Sequence, residues 1–78
     1  MITYPSKSEL KTATEVAVYF RNSPSGNLMW LRSFFVVQFA GTGAHMAKTI
    51  RGCLSKATRF ANKWQSEFPT YDFFLKAE

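Results

Sequence analysis

The chain has 78 residues, and its ten Lys and Arg against five Asp and Glu give a formal net charge of +5. This length accommodates a single domain, and the eight Phe, three Tyr and two Trp supply the apolar area that so small a core needs. A single Cys excludes an internal disulfide, and one Cys with one His is too few for a structural zinc site.

Residues 1–13 are predicted to be a lead-in segment ahead of a single α+β domain over residues 14–78. Two structures fit the lead-in. Ser6 or Ser8 suits the cap of a short helical turn, and residues 2–4 equally suit an edge strand.

A β-hairpin is predicted next. Residues 15–22 alternate, with Val16, Val18 and Phe20 on one face. Residues 23–27 form a turn signal of Ser, Pro, Gly and Asn, and residues 28–40 follow as a long strand rich in aromatic and β-branched residues.

The second strand of this hairpin divides into two faces. The face expected to pack on the core comprises Met29, Leu31, Ser33, Phe35, Val37 and Phe39. The opposite face comprises Leu28, Trp30, Arg32, Phe34, Val36 and Gln38. This second face is both apolar and charged, which is unusual for a simple solvent face. It is therefore a candidate binding surface.

A long amphipathic helix is predicted from residue 44 to about residue 66, with Thr42 as its N-cap. Gly52 is expected to allow close approach of the helix to the sheet. The helix should end near Ser66 or Glu67, because Pro69 disfavours helical geometry at the residue before it. Residues 71–76 alternate again and are expected to return as a third strand.

The order strand, strand, helix, strand predicts a small antiparallel sheet with one long amphipathic helix packed on one face. One helix covers one face only. The other face therefore stays open unless the N-terminal segment or another molecule covers it, and a homodimer through this open face is one expected outcome.

Catalytic and cofactor motifs are absent from the sequence. The loop before the helix fails a dinucleotide fingerprint at Met46 and a Walker motif at Thr42 and Ala47. His45 and Cys53 are predicted to lie about 12 Å apart along one helix, on different faces. We therefore expect no enzyme activity, no cofactor and no metal site.

The charges are unevenly distributed along the chain. No Asp or Glu occurs between residues 16 and 66, whereas seven cations do. This pattern favours a surface for phosphates or for an acidic protein. On the predicted helix, the candidate binding residues are Lys48, Lys56, Arg59 and Lys63, with His45 beside them. We expect no membrane binding, because the flanking strands need the apolar face of this helix.

A second candidate binding surface lies on the predicted strands. Its residues are Tyr19, Arg21, Trp30, Arg32 and Phe34. The three rings suit base stacking and the two Arg suit phosphate contacts. The alternative is that Trp30 and Phe34 are core or dimer-interface side chains. The octapeptide at residues 32–39 resembles a degraded form of the octapeptide of RNA-recognition domains. Its basic first residue and the residues at 34, 37 and 39 match, whereas those at 33, 35 and 36 do not.

The chain as a whole resembles the small phage-encoded inhibitors of host defence, the anti-CRISPR type among them. The hairpin–helix–strand plan and the segment from Ala61-Asn62-Lys63-Trp64 to Phe68-Pro69-Thr70-Tyr71-Asp72-Phe73 carry this resemblance. It implies a single α+β domain without catalytic residues, and it transfers no functional residue.

Two functions are therefore expected from the sequence. The first is a non-enzymatic basic protein that contacts nucleic acid, or a complex that holds nucleic acid, through the helix cations and the aromatic strand face. The second is a phage-type stoichiometric inhibitor, anti-CRISPR or other anti-defence, that acts by protein–protein contact. The absence of a signal peptide or an apolar span predicts a cytoplasmic location, that of the host if the protein is phage-encoded.

Overall fold

The computed structural model describes residues 1–37 and 43–78. The predicted strand residues Gln38, Phe39 and Ala40, and the predicted cap Thr42 with Gly41 before it, lie outside the described residues. The described elements are, in chain order, β1 (Ile2–Thr3), α1 (Lys7–Lys11), β2 (Glu15–Arg21), β3 (Met29–Val36), β4 (Met46–Ala47), α2 (Ile50–Glu67) and β5 (Asp72–Ala77).

The five strands form one mixed sheet in the order β1-β5-β2-β3-β4, and α2 packs on one of its faces. The predicted α+β class, with one long helix, is confirmed. The prediction of a purely antiparallel, three-stranded sheet is wrong, because β1 pairs parallel with β5 and β4 pairs parallel with β3. Each of these added strands has only two residues, which is too short to give an alternating pattern in the sequence.

Residues 1–13 contain both structures that the sequence suggested. β1 joins the sheet edge, and α1 begins after Ser6, whose hydroxyl accepts a hydrogen bond from the Glu9 N–H at 3.2 Å. The Glu9 carboxylate in turn accepts one from the Ser6 N–H at 2.9 Å, which completes a capping box. This backbone hydrogen bond holds the pKa of Glu9 below its ordinary value.

The core lies between the sheet and α2. Val16 and Val18 of β2 and Phe73 of β5 are fully buried beneath Cys53 and Ala57 of α2. A continuous row of aromatic rings links the helix to the sheet and runs from Phe34 through Phe60, Trp64 and Phe68 to Tyr71. Neighbouring centroids in this row lie between 4.9 and 6.0 Å apart, within the range of favourable aromatic contacts.

The helix starts later than the sequence predicts. α2 begins at Ile50, and the hydroxyl of its N-cap Thr49 accepts a hydrogen bond from the Gly52 N–H at 3.0 Å, so the predicted start at residue 44 is wrong. Ala47 satisfies the helical spacing, but it is buried as part of β4. The predicted end is confirmed, since α2 stops at Glu67, before Pro69.

Gly52 lies where the first turn of α2 passes close to β4. A Cβ at this position would stand 2.9 Å from the Cβ of Ala47. The predicted close approach of helix and sheet at this glycine is confirmed.

Over residues 32–36 the faces of β3 are opposite to those predicted, whereas Met29 and Trp30 lie on their predicted sides. Arg32 pairs with Val18 and Phe34 pairs with Val16, and directly paired residues share a face. Phe34 is therefore buried under α2, with 3% of its surface exposed, whereas Phe35 is 44% exposed on the other face.

A β-bulge in the hairpin changes the alternation at the start of β3, ahead of Arg32. Val18 pairs with Arg32 and Tyr19 pairs with Trp30, which leaves Leu31 as an extra residue. Trp30 consequently shares a face with Ser33 and donates a hydrogen bond from Nε1 to its Oγ at 2.8 Å. We refer to the sheet face opposite α2 as the open face.

Candidate nucleic-acid interface

The second candidate surface predicted from the sequence is divided between the two faces of the sheet. Tyr19, Arg21 and Trp30 lie on the open face, and Arg32 and Phe34 lie on the side of α2. The prediction of a stacking platform that includes Phe34 is wrong, because this ring is buried against Phe60. The octapeptide that resembles an RNA-recognition motif therefore does not present its central ring to solvent.

Arg21 and Tyr19 on the open face both donate hydrogen bonds to acidic side chains. The Arg21 Nε donates to the Asp72 carboxylate at 3.3 Å, and the guanidinium lies over the ring of Phe74, 5.0 Å from its centroid. The Tyr19 hydroxyl donates to Glu78 at 2.8 Å, and this contact raises the pKa of Tyr19. Arg21 and Tyr19 are engaged within the protein, so they are poor contacts for phosphate. Lys76 is an exposed cation of this face, with its Nζ 5.5 Å from the centroid of the Tyr19 ring.

Arg32 lies at the junction between β3 and α2. Its guanidinium is 5.7 Å from the centroid of the Phe60 ring, a cation–π contact. Its Nη1 also donates to Nε2 of His45, which must accept because an Arg side chain has no acceptor. The Phe34 ring packs edge-on against His45, with centroids 5.7 Å apart. Arg32 is thus held against the helix by aromatic neighbours.

Three helix cations flank the ring that Arg32 covers. Lys56 and Lys63 stand four residues before and three residues after Phe60, and Arg59 adjoins it, so all three lie on the same side of α2. Arg59 and Lys63 are exposed and Lys56 is half-buried. We call Arg32, Lys56, Arg59 and Lys63 the basic strip. At 1.5 Å per residue its helical part is about 10 Å long.

The remaining sequence-predicted cations are placed elsewhere. Lys48 is exposed but precedes the N-cap of α2, so its assignment to the helix is wrong, as is that of His45 before β4. Lys48 lies in a bend between β4 and α2, and His45 lies in a turn ahead of β4, so neither is helical.

The described ion pairs lie away from the basic strip. Within residues 1–37 and 43–78, both ion pairs involve Asp72, which binds Arg21 and the N-terminal amine. Glu78 is bound to Tyr19, and Glu9 belongs to the capping box of α1. No member of the basic strip forms an ion pair with a described residue. Glu67 stands one turn after Lys63 on α2 but forms no ion pair among the described residues. The strip is therefore a cationic surface without a described salt bridge.

An exposed apolar patch lies on the open face, next to β4. It comprises Trp30, Phe35 and Met46, which are 60%, 44% and 41% exposed. Phe35 and Met46 are paired across β3 and β4. The sequence predicts Trp30 as a surface residue, but it places Phe35 in the core and Met46 in the helix. No signal in the sequence reveals β4, the short strand that brings Phe35 and Met46 together.

The described residues hold no cluster of three or more His, Cys, Asp or Glu side chains that could bind a metal ion. Cys53 is buried beneath the sheet, and burial raises the pKa of its thiol, which makes it a poor nucleophile. Among the helices of residues 1–37 and 43–78, none is long and apolar enough to cross a membrane.

No protein-family model matches the chain, and no curated protein or solved structure matches it either. Its function is therefore inferred from the geometry and charge of its own residues.

Proposed function

We propose that the protein is a non-enzymatic binding protein that contacts the phosphate backbone of nucleic acid through the basic strip. The observation that carries the proposal is the segregation of charge: four cations lie along one side of α2 without acidic partners among the described residues, while the described ion pairs lie at Asp72. Retaining unpaired cations side by side is electrostatically unfavourable unless an anion binds them.

The strip suits a phosphate backbone rather than a single small anion. Its helical cations are spread over about 10 Å, and they are carried on flexible side chains at the surface of a rigid helix. Arg and Lys contacts of this kind position a protein on nucleic acid without reading its sequence. We therefore expect binding with little sequence preference and with a strong dependence on salt.

The test is fluorescence anisotropy with labelled single-stranded and duplex DNA. The triple variant K56E/R59E/K63E should lose binding, whereas K7E/K11E/R51E, which lowers the net charge by the same amount from the other flank of α2, should retain most of it. Circular dichroism spectra that match the wild type would show that both variants fold. Unchanged DNA binding by K56E/R59E/K63E contradicts the proposal.

The apolar patch supports a second candidate function, a phage-type stoichiometric inhibitor that docks on a partner protein. Exposed aromatic and Met side chains on one sheet face are typical of protein interfaces, and Trp30 is the most exposed of the three. In this case Trp30→Ala should reduce partner inhibition most, and purified protein should carry no nucleic acid at low salt. The ratio of nucleic-acid to protein absorbance after purification at low and at high salt separates the two candidates.

A further inference from the structure

A second cationic surface lies on the other flank of α2, in a groove of about 640 Å³ between α1 and the start of the long helix. The residues that line it are Pro5, Lys7, Leu10, Lys11, Ile50, Arg51 and Leu54. None of them belongs to the basic strip or to the apolar patch, so this groove is a separate site.

The rim of the groove carries charge of one sign. Lys7, Lys11 and Arg51 are all exposed, and no carboxylate is among the described residues that line the groove. Glu9 is the one acid of α1, but its carboxylate accepts from the Ser6 N–H and lines a different groove, together with Lys76 and Glu78. The capping box thus turns this negative charge away from the cations.

The floor of the groove is apolar. Leu10, Ile50 and Leu54 are half-buried and pack against the core, and Pro5 also lines the groove. No lining residue is fully buried, so the groove is an open trough that cannot enclose a small molecule. A trough of this shape suits a side chain that projects from another polypeptide.

We propose that this groove docks an acidic segment of a partner protein. An apolar side chain of that segment enters between Leu10, Ile50 and Leu54, and carboxylates on either side of it meet Lys7, Lys11 and Arg51. Charge complementarity identifies the partner as acidic. The apolar floor favours a peptide over nucleic acid, because phosphate and sugar contacts make no use of an apolar floor. The site does not depend on nucleic-acid binding by the basic strip.

The probe is a fluorescein-labelled peptide in which two Leu residues are each flanked by Glu, compared with the same peptide carrying Gln in place of Glu. The acidic peptide should bind the wild-type protein, and the Gln peptide should bind at least about tenfold more weakly. K7E/K11E/R51E should reduce affinity for the acidic peptide by a similar factor or more. K56E/R59E/K63E has the same net charge and should leave it within about twofold.

Because two of these substitutions fall in the short α1, R51E alone is the second variant. An acidic residue suits the first turn of α2, so R51E should fold normally while weakening peptide binding. Amide chemical shifts of the labelled protein should change around Leu10, Ile50 and Leu54 when the acidic peptide is added.

Three results would overturn the proposal: no binding of the acidic peptide, equal binding of the Gln peptide, or binding that survives both K7E/K11E/R51E and R51E. A fourth such result concerns DNA binding. If K7E/K11E/R51E lost as much DNA binding as K56E/R59E/K63E, the groove would belong to a nucleic-acid surface. Failure of DNA binding alone would contradict the proposed function and leave the groove proposal standing.

Discussion

The ring of Phe34 in β3 meets the ring of Phe60 in α2 edge to face, with 5.7 Å between the centroids and 67° between the planes. This contact fixes which side of β3 faces the helix. It also places Arg32, two residues earlier in the strand, over the ring of Phe60, and so adds a sheet cation to the cations of α2.

The two adjacent phenylalanines of β3 should respond very differently to truncation. Phe34→Ala empties a buried site and should lower the free energy of unfolding by about 3–5 kcal/mol. Phe35→Ala, at a site 44% exposed, should lower it by less than about 1 kcal/mol. Urea denaturation followed by circular dichroism measures both values.

A chain of this size has a total stability of only about 4–12 kcal/mol, so Phe34→Ala removes a large part of it. Phe34→Leu, which should cost less than about 1.5 kcal/mol, provides a measurable replacement. Equal losses for the two alanine variants, or a larger loss for Phe35→Ala, would contradict the assigned faces.

The start of α2 is tested at its N-cap. Thr49→Ala removes the hydroxyl that accepts from the Gly52 N–H and should lower the free energy of unfolding by about 1 kcal/mol. Thr49→Ser keeps this acceptor and is the matched control, which we expect to lie within a few tenths of a kcal/mol of the wild type. If Thr49→Ala were as stable as Thr49→Ser, the helix would not begin at this residue.

The contact between Tyr19 and Glu78 predicts a pH dependence in the alkaline range. The carboxylate accepts from the phenol and raises the pKa of Tyr19 above its ordinary value of 10.0. Since the raised pKa belongs to the folded state, the stability from this contact is present below pH 10 and is lost as the pH rises through the raised pKa.

Titration of phenolate absorbance should therefore show a late step, above the ordinary tyrosine pKa of 10.0. Tyr19→Phe should remove this late step, and Glu78→Gln should return it toward the ordinary pKa because the negative charge is gone. A late step that persists in Tyr19→Phe would refute the assignment.

The sequence predicts the elements whose patterns are strong. The alternation of Val16, Val18 and Phe20 gives β2 and its buried face, and Pro69 gives the end of α2. The faces of β3 could not be predicted, because both of its alternating sets are apolar and hydrophobic pattern alone does not choose between them. A charged Arg32 favours the face away from the core, yet a cation–π contact with Phe60 allows it on the side of the helix.

The candidate site was only partly predictable for similar reasons. Helical spacing correctly groups Lys56, Arg59 and Lys63 on one side of α2. The addition of Arg32 depends on the register of β3 against β2, which the bulge at Leu31 alters. The groove beneath α1 depends on where a five-residue helix packs, and no local pattern reports this.

The salt dependence of DNA binding tests the central claim most directly. Neutralising the helical part of the basic strip in K56Q/R59Q/K63Q removes three phosphate contacts while retaining measurable binding through the remaining cations. The slope of the logarithm of the binding constant against the logarithm of salt concentration should therefore become less steep by about 2–3. An unchanged slope in this variant, or wild-type binding that does not weaken with salt, would contradict nucleic-acid binding through the basic strip.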